Sequence, residues 1–254
     1  MLRQITATAL LFVATCSASA DTVIAQWNFN APPTGDNNTT TGTLVASTGS
    51  SSNTLARIGS TQNASPQYTN ANVNVNVNTA SSDPTLSDDS AWAIFNFANQ
   101  GTGNKTRGIQ VNVNTTGMEN IVVTWDQRNQ SGAPNTAILQ YRLDTLSAWV
   151  DVQSYVSDSL SWSNGRTYSF SAISGLNNSS TAAFRIVAAF AGTSSQYVGT
   201  GATYNTFSAW NFDMITVSGT AIPPVTVVPL PPAALAGAAL MACLPIAKAL
   251  RRRV

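Results

Sequence analysis

The 254-residue chain contains no histidine, and its two cysteines, Cys16 and Cys243, lie close to its ends. Nucleophilic catalysis of the Ser-His-Asp or Cys-His kind is therefore excluded, because both need an imidazole base. What remains is oxygen chemistry and rings: ten aspartates, the single glutamate Glu119, six tryptophans and six tyrosines. Paired carboxylates hydrolyse glycosides when they stand about 5–10 Å apart, but no motif selects a pair among these acids. No catalytic residue is assigned, and a protein that is not an enzyme is expected. If a cofactor is present, hard oxygen ligands favour calcium. Asp83, Asp88 and Asp89 match no calcium-loop spacing and read as a solvated turn.

Aromatic rings in polar surroundings are the groups that meet sugars. Trp149, Trp162, Tyr197 and Tyr204 are the candidates, and carbohydrate contact is assigned to Trp162, Tyr197 and Tyr204, which lie among Ser, Asn and Gly. Trp27, Trp92, Trp125 and Trp210 sit in alternating segments and read as core.

Strands must position these groups. From Ala25 the segment Ala-Gln-Trp-Asn-Phe-Asn alternates strictly, which marks a half-buried strand with Ala25, Trp27 and Phe29 on one face. Residues 31–65, rich in Thr, Ser, Gly and Asn, read as a long loop with one or two short edge strands near Leu44 and Leu55. Val73, Val75 and Val77 alternate with asparagines, and Ile109, Val111 and Val113 repeat the pattern. Amphipathic strands explain both; an Asn-rich adhesive tract is the alternative. Residues 91–98 read as a buried strand, followed by a Gly101-Thr102-Gly103 turn. Further strands are expected at 121–128, 137–143, 149–155, 168–170, 184–190 and 210–217. Nine or so strands between Gly, Asn, Pro and Ser turns, with no amphipathic helix, point to an all-β antiparallel β-sandwich.

Both ends read as addresses. Arg3, the apolar run at 9–14 and Ala18-Ser19-Ala20 before Asp21 form a secretory signal peptide with its cleavage site at Ala18 and Ala20. Acylation at Cys16 is the alternative, although Thr15 stands where a smaller residue is preferred. At the far end Ile222-Pro223-Pro224 opens an extended linker. Val228-Pro229-Leu230-Pro231-Pro232 follows, then an apolar run over 233–247, Lys248 and Arg251-Arg252-Arg253. That run is read as a single hydrophobic helix in the membrane, with the arginines on the cytoplasmic side. It is Ala-rich, interrupted by Pro245 and shorter than the about 20 residues of a relaxed span, so a temporary tether is expected.

Charged residues make up only 9% of the chain. Between the two addresses seven basic residues face eleven acidic ones, a net of −4, and no basic patch suited to nucleic acid is evident. With no cysteine in that body, stability must come from core burial.

The tail resembles the PEP-CTERM sorting signals of bacteria, in the VPLPA-CTERM variant, through Val228, Pro229, Leu230 and Pro231; Pro232 precedes the alanine at the motif's last position. The resemblance implies recognition by an exosortase-type transpeptidase, cleavage near the proline motif and transfer to the cell surface. The body is similar to a jelly-roll module of exported PEP-CTERM proteins in Trp27-Asn28-Phe29, in residues 114–128 with their Thr115-Thr116-Gly117 turn, and in residues 212–219. Where the module has an Asp-Asn pair, this chain has Asp213-Met214. That resemblance implies a setting of extracellular polysaccharide, biofilm or floc. Jelly rolls resembling carbohydrate-binding modules often hold a structural calcium near the first and last strands, which nominates Asp213 with a partner from Asp21 or the 28–36 region. The alternatives for Asp213 are a turn cap or a pair with Arg185.

The expected organisation is a signal peptide (1–20), a jelly-roll-like β-sandwich (21–221), a Pro-rich linker with the sorting motif (222–232), and a hydrophobic helix with an Arg-rich tail (233–254). The expected role is structural or adhesive, at the cell surface or in an exopolysaccharide matrix, after an inner-membrane-tethered precursor stage. A carbohydrate-binding module is the alternative, and an extracellular glycan-active enzyme the third reading.

Overall fold

Alternation of apolar and polar residues, repeated along most of the body, gives strands with one buried face, and such strands must stack in layers around a common core. The computed structural model describes residues 20–29, 43–70, 81–83 and 90–224. The expected leader, the valine–asparagine run over 71–79, and the sorting motif, apolar helix and arginines beyond residue 224 lie outside these residues. Among the described residues no helix is long and apolar enough to cross a membrane.

The strands form two antiparallel sheets. The first contains β1 (Asp21–Trp27), β3 (Thr48–Gly49), β5 (Gln62–Asn70), β6 (Ser90–Phe95), β8 (Met118–Asn129), β11 (Ser163–Ser169) and β13 (Trp210–Ala221). The second contains β2 (Thr43–Val45), β4 (Thr54–Ile58), β7 (Gly108–Val113), β9 (Thr136–Arg142), β10 (Val150–Val156) and β12 (Ala182–Ala188), in the order β10-β9-β12-β7-β4-β2. A single 3₁₀ turn, Ser174–Leu176, is the only helical piece among the described residues.

In the first sheet β13 is the axis. It runs along β8 on one side, while on the other its first residues pair with β6 and its later ones with β1. The change of neighbour coincides with a bulge after Asp213, where Met214 takes a positive φ of 47°. A bulge bends the strand and increases its twist, which lets one strand serve two partners.

The inner faces of both sheets meet in one core that includes Trp27, Trp92, Trp125, Trp210, Phe170, Phe184, Phe212 and Leu139. The four tryptophans are each at most 1% exposed. At about 25 cal/mol per Å² and 150–250 Å² per ring, each contributes roughly 4–6 kcal/mol of gross transfer free energy, an upper bound. Trp27 and Phe29 are buried on one face with Ala25, as the alternation predicts.

Three expectations change. The Leu55 strand is interior to its sheet, paired with β7 on one side and β2 on the other, because Leu55 is fully buried; only β2 is an edge. Part of the expected 31–65 loop belongs to β5, an edge strand whose register with β6 breaks between Asn63 and Tyr68, around Pro66. Proline lacks the N–H a ladder needs, so an edge bulge is where it fits. The strand foreseen at 168–170 begins earlier, at Ser163.

Candidate functional site

Chemistry-bearing side chains collect on the outer face of the second sheet, turned away from the core. Val111, Val113, Leu139, Phe184 and Ile186 point inward, so Gln110, Asn112, Gln140, Arg142 and Arg185 take the opposite face. Register then brings them into line. Asp151 is paired with Gln140, Gln140 with Arg185, and Arg185 with Gln110, a row that crosses β10, β9, β12 and β7. At a strand spacing of about 4.8 Å the row spans roughly 14 Å.

Hydrogen bonds give the row a direction. Arg185 Nε donates to Gln110 Oε1 at 3.0 Å, Gln110 Nε2 to Asn112 Oδ1 at 2.8 Å, and Asn112 Nδ2 to Thr54 Oγ1 at 3.2 Å. A cation stands at the donor end, so each amide polarises the next. At the other end of the row Gln140 Nε2 donates to Asp151 Oδ1 at 2.8 Å, and Lys105 Nζ pairs with the second carboxylate oxygen.

Trp149, just before β10, holds two guanidiniums. Arg185 lies 3.8 Å and Arg142 4.7 Å from its ring centroid, within cation–π range. Burial, followed by repulsion from Arg142, pushes the Arg185 guanidinium down to about 10. No carboxylate among the described residues comes within ion-pairing distance of either arginine; the acid on this face is engaged by Lys105. Two buried polar atoms here, Gln140 Oε1 and Arg142 Nε, have no hydrogen-bond partner.

Beside Asn112, a recess of about 150 Å³ is lined by Ser52, Asn114, Ser180 and Thr181. Sites that enclose small molecules run to about 300–1,000 Å³. This recess is the end of an open polar face, with room for part of a ligand.

The aromatics assigned to sugar contact lie elsewhere. Trp162 is 8% exposed and packs on Ala91 in a small cluster apart from the main core. Tyr197 is buried and stacks on half-buried Tyr204, with centroids 4.9 Å apart and planes 22° apart. Their hydroxyls donate to the carbonyls of Gly103 and Ala98, which ties two long loops together. Burial raises both hydroxyls, that of Tyr197 to about 12, with the neighbouring Tyr197 adding to the rise at Tyr204. Of the four aromatics nominated from the sequence, Trp149 is the one on the polar face.

Asp213 is wholly buried on the outer side of the first sheet, directly opposite Asp126. Its Oδ1 accepts the Met214 N–H at 2.7 Å, which makes it a cap of the bulge. Asp126 accepts N–H groups from Ser82 at 2.5 Å and Gly165 at 2.7 Å. The Arg185 pairing considered for Asp213 does not form, because Arg185 belongs to the other sheet and bonds Gln110. Two opposed buried carboxylates suit a divalent cation in charge, although among the described residues no group of three His, Cys, Asp or Glu side chains converges. Asp21 bonds Thr220 at the far end of β13, and most of the 28–36 region lies outside the described residues.

Gln110, Gln140, Arg142, Asp151 and Arg185 were not nominated from the sequence. Each occupies the polar position of an alternating strand, and only the cross-strand register shows that they stand together. No protein-family model matches the chain, and no curated protein matches it.

Proposed function

We propose that the chain is an exported surface or matrix protein whose body, a jelly-roll-like β-sandwich, holds extracellular polysaccharide on the outer face of its second sheet. The carrying observation is the row Asp151, Gln140, Arg185 and Gln110, from which a chain of donors runs from Arg185 through Gln110 and Asn112 beside the recess. Amides both donate to and accept from sugar hydroxyls, guanidiniums donate to them, and an open face accepts a polymer from the side. The role is binding and structural, without catalysis; the histidine-free, cysteine-free body supports that. Calcium at the Asp126–Asp213 pair belongs to the same reading, as a structural ion.

The address segments complete it. A signal peptide ending at Ala20 and the Val228-Pro229-Leu230-Pro231 tail fit export followed by exosortase-type processing, with the apolar helix and Arg251–Arg253 holding the precursor at the inner membrane until then. Two experiments test the reading. Deleting residues 228–254 is expected to abolish surface localisation, and mass spectrometry of the surface form is expected to find a C-terminus near Pro231; an intact Val254 there would restore a plain membrane anchor. The full chain is expected to sediment with matrix polysaccharide and to lose this in Gln110→Ala/Asn112→Ala, while retention as strong as wild type would remove the face from the account.

A further inference from the structure

We infer that the Arg142–Trp149–Arg185 cluster selects an acidic polysaccharide, one whose sugars carry carboxylates, over neutral glycans. This rests on the polysaccharide reading above and specifies its ligand.

Charge on this face is unbalanced. The body is net acidic, so attraction to an anionic polymer must be local. On this face Arg142, Arg185 and Lys105 stand against Asp151, which Lys105 pairs, and the exposed Asp144 of the turn after β9, which feels the charge of Arg142 without reaching ion-pairing distance. The two guanidiniums share one indole ring and repel each other, and that repulsion adds to burial in lowering Arg185. An ion pair within the protein would relieve it, and none forms among the described residues. An arriving carboxylate would do so.

Donor geometry points the same way. A guanidinium has five N–H donors in a planar fork, and Arg185 spends one of them on Gln110. Arg142 makes only a 3.5 Å contact to the Thr145 carbonyl, and its buried Nε has no partner. Such forks meet carboxylates bidentately, in the strong class of charge-assisted hydrogen bonds. The indole lies against both cations and orients them. Selectivity then comes from charge, with Gln110, Asn112 and Gln140 reading hydroxyls beside it. Two arginines on a face this narrow do not make the long cationic track that nucleic acid requires.

Affinity electrophoresis of the full chain tests this with polygalacturonate, the same polymer after carboxyl reduction, and double-stranded DNA. Polygalacturonate is expected to bind about tenfold more tightly than its reduced form, and Arg185→Gln or Arg142→Gln to remove about that factor. Arg185→Lys, which keeps the charge and loses the fork, is expected to fall between. Arg128→Gln, on β8 of the other sheet, is expected to leave the ratio unchanged. Thermal melts of each variant separate lost binding from lost fold. Equal binding to both polymers, unaffected by the arginine variants, would overturn the charge selection and leave the polysaccharide reading standing. Binding to neither polymer would overturn both. DNA binding as tight as that of polygalacturonate would replace the carboxylated glycan with a phosphate polymer.

Discussion

Asp126 on β8 stands directly opposite Asp213 on β13, and both are almost completely buried. Opposed residues share a face with their Cβ atoms about 4.5–5.5 Å apart, so the two carboxyl groups are close neighbours. Asp126 uses both oxygens on backbone N–H groups, and the Gly165 bond fixes β11 while the Ser82 bond fixes the covering segment. Asn at 126 leaves one of those donors facing an NH₂, at a cost of about 1–3 kcal/mol. Urea denaturation is expected to place Asp126→Asn below the wild type by about that amount; a midpoint equal to the wild type would show that Asp126 is not the anchor.

Calcium binding at this pair is a separate prediction. A ligand bound only by the folded state stabilises it by about 2.7 kcal/mol at a hundredfold excess over its Kd. Millimolar calcium is expected to raise the melting temperature of the wild type and to leave that of Asp213→Asn unchanged. An identical melt with calcium and with chelator would mean that the pair holds no calcium.

The pH dependence follows from Asp151. Partial burial raises its carboxyl, but hydrogen bonds from Lys105 and Gln140, with the charge of Lys105, outweigh that and hold it below its ordinary value of 3.8. A lowered folded pKa means that the stabilisation is complete above the ordinary value and is lost as pH falls through the lowered one. Both partners of the ion pair are more than a third exposed, so the contribution is at most about 1 kcal/mol. Melting temperature is expected to stay flat from about pH 5 to 8, where histidine would titrate and this chain has none. Below that range it should fall, and Asp151→Asn should flatten part of the fall. A step near neutral pH would contradict this assignment.

The strands whose inward residues are apolar were legible in the sequence, because period two is a local signal. Trp27, Val111, Trp125 and Phe184 all lie where alternation puts them. β11 was only half legible, since its inward position is Arg166, a buried cation held by Gln127, Ser157 and Ser163 rather than an apolar side chain. Hydropathy has no way to mark that residue as interior. The polar row was illegible for a different reason. Gln110 and Arg185 are 75 residues apart, and only register makes them neighbours. Trp162 and Tyr197 misled because a Ser- and Asn-rich context describes the loop backbone, while the ring turns inward to bury its area.

The core makes the sharpest stability prediction, at Phe170. It is fully buried just after β11, and its N–H donates to the Ile121 carbonyl at 2.7 Å. Its ring meets Tyr168 at 4.7 Å on its own sheet's side, and Phe184 at 4.9 Å and Tyr141 at 5.7 Å from the second sheet. One side chain therefore joins the two layers at the end where β11 is an edge and has a single neighbour. Truncation to alanine removes the ring and leaves a cavity that three aromatic neighbours cannot close, costing about 3–5 kcal/mol. Domains are stable by only about 5–15 kcal/mol, and no cysteine is present in this body to offset the loss. Phe170→Ala is expected to lower the denaturation midpoint severely, with Phe170→Leu in between. If truncation at Phe170 cost no more than truncation of exposed Phe207, the two sheets would have to be held together elsewhere in the core.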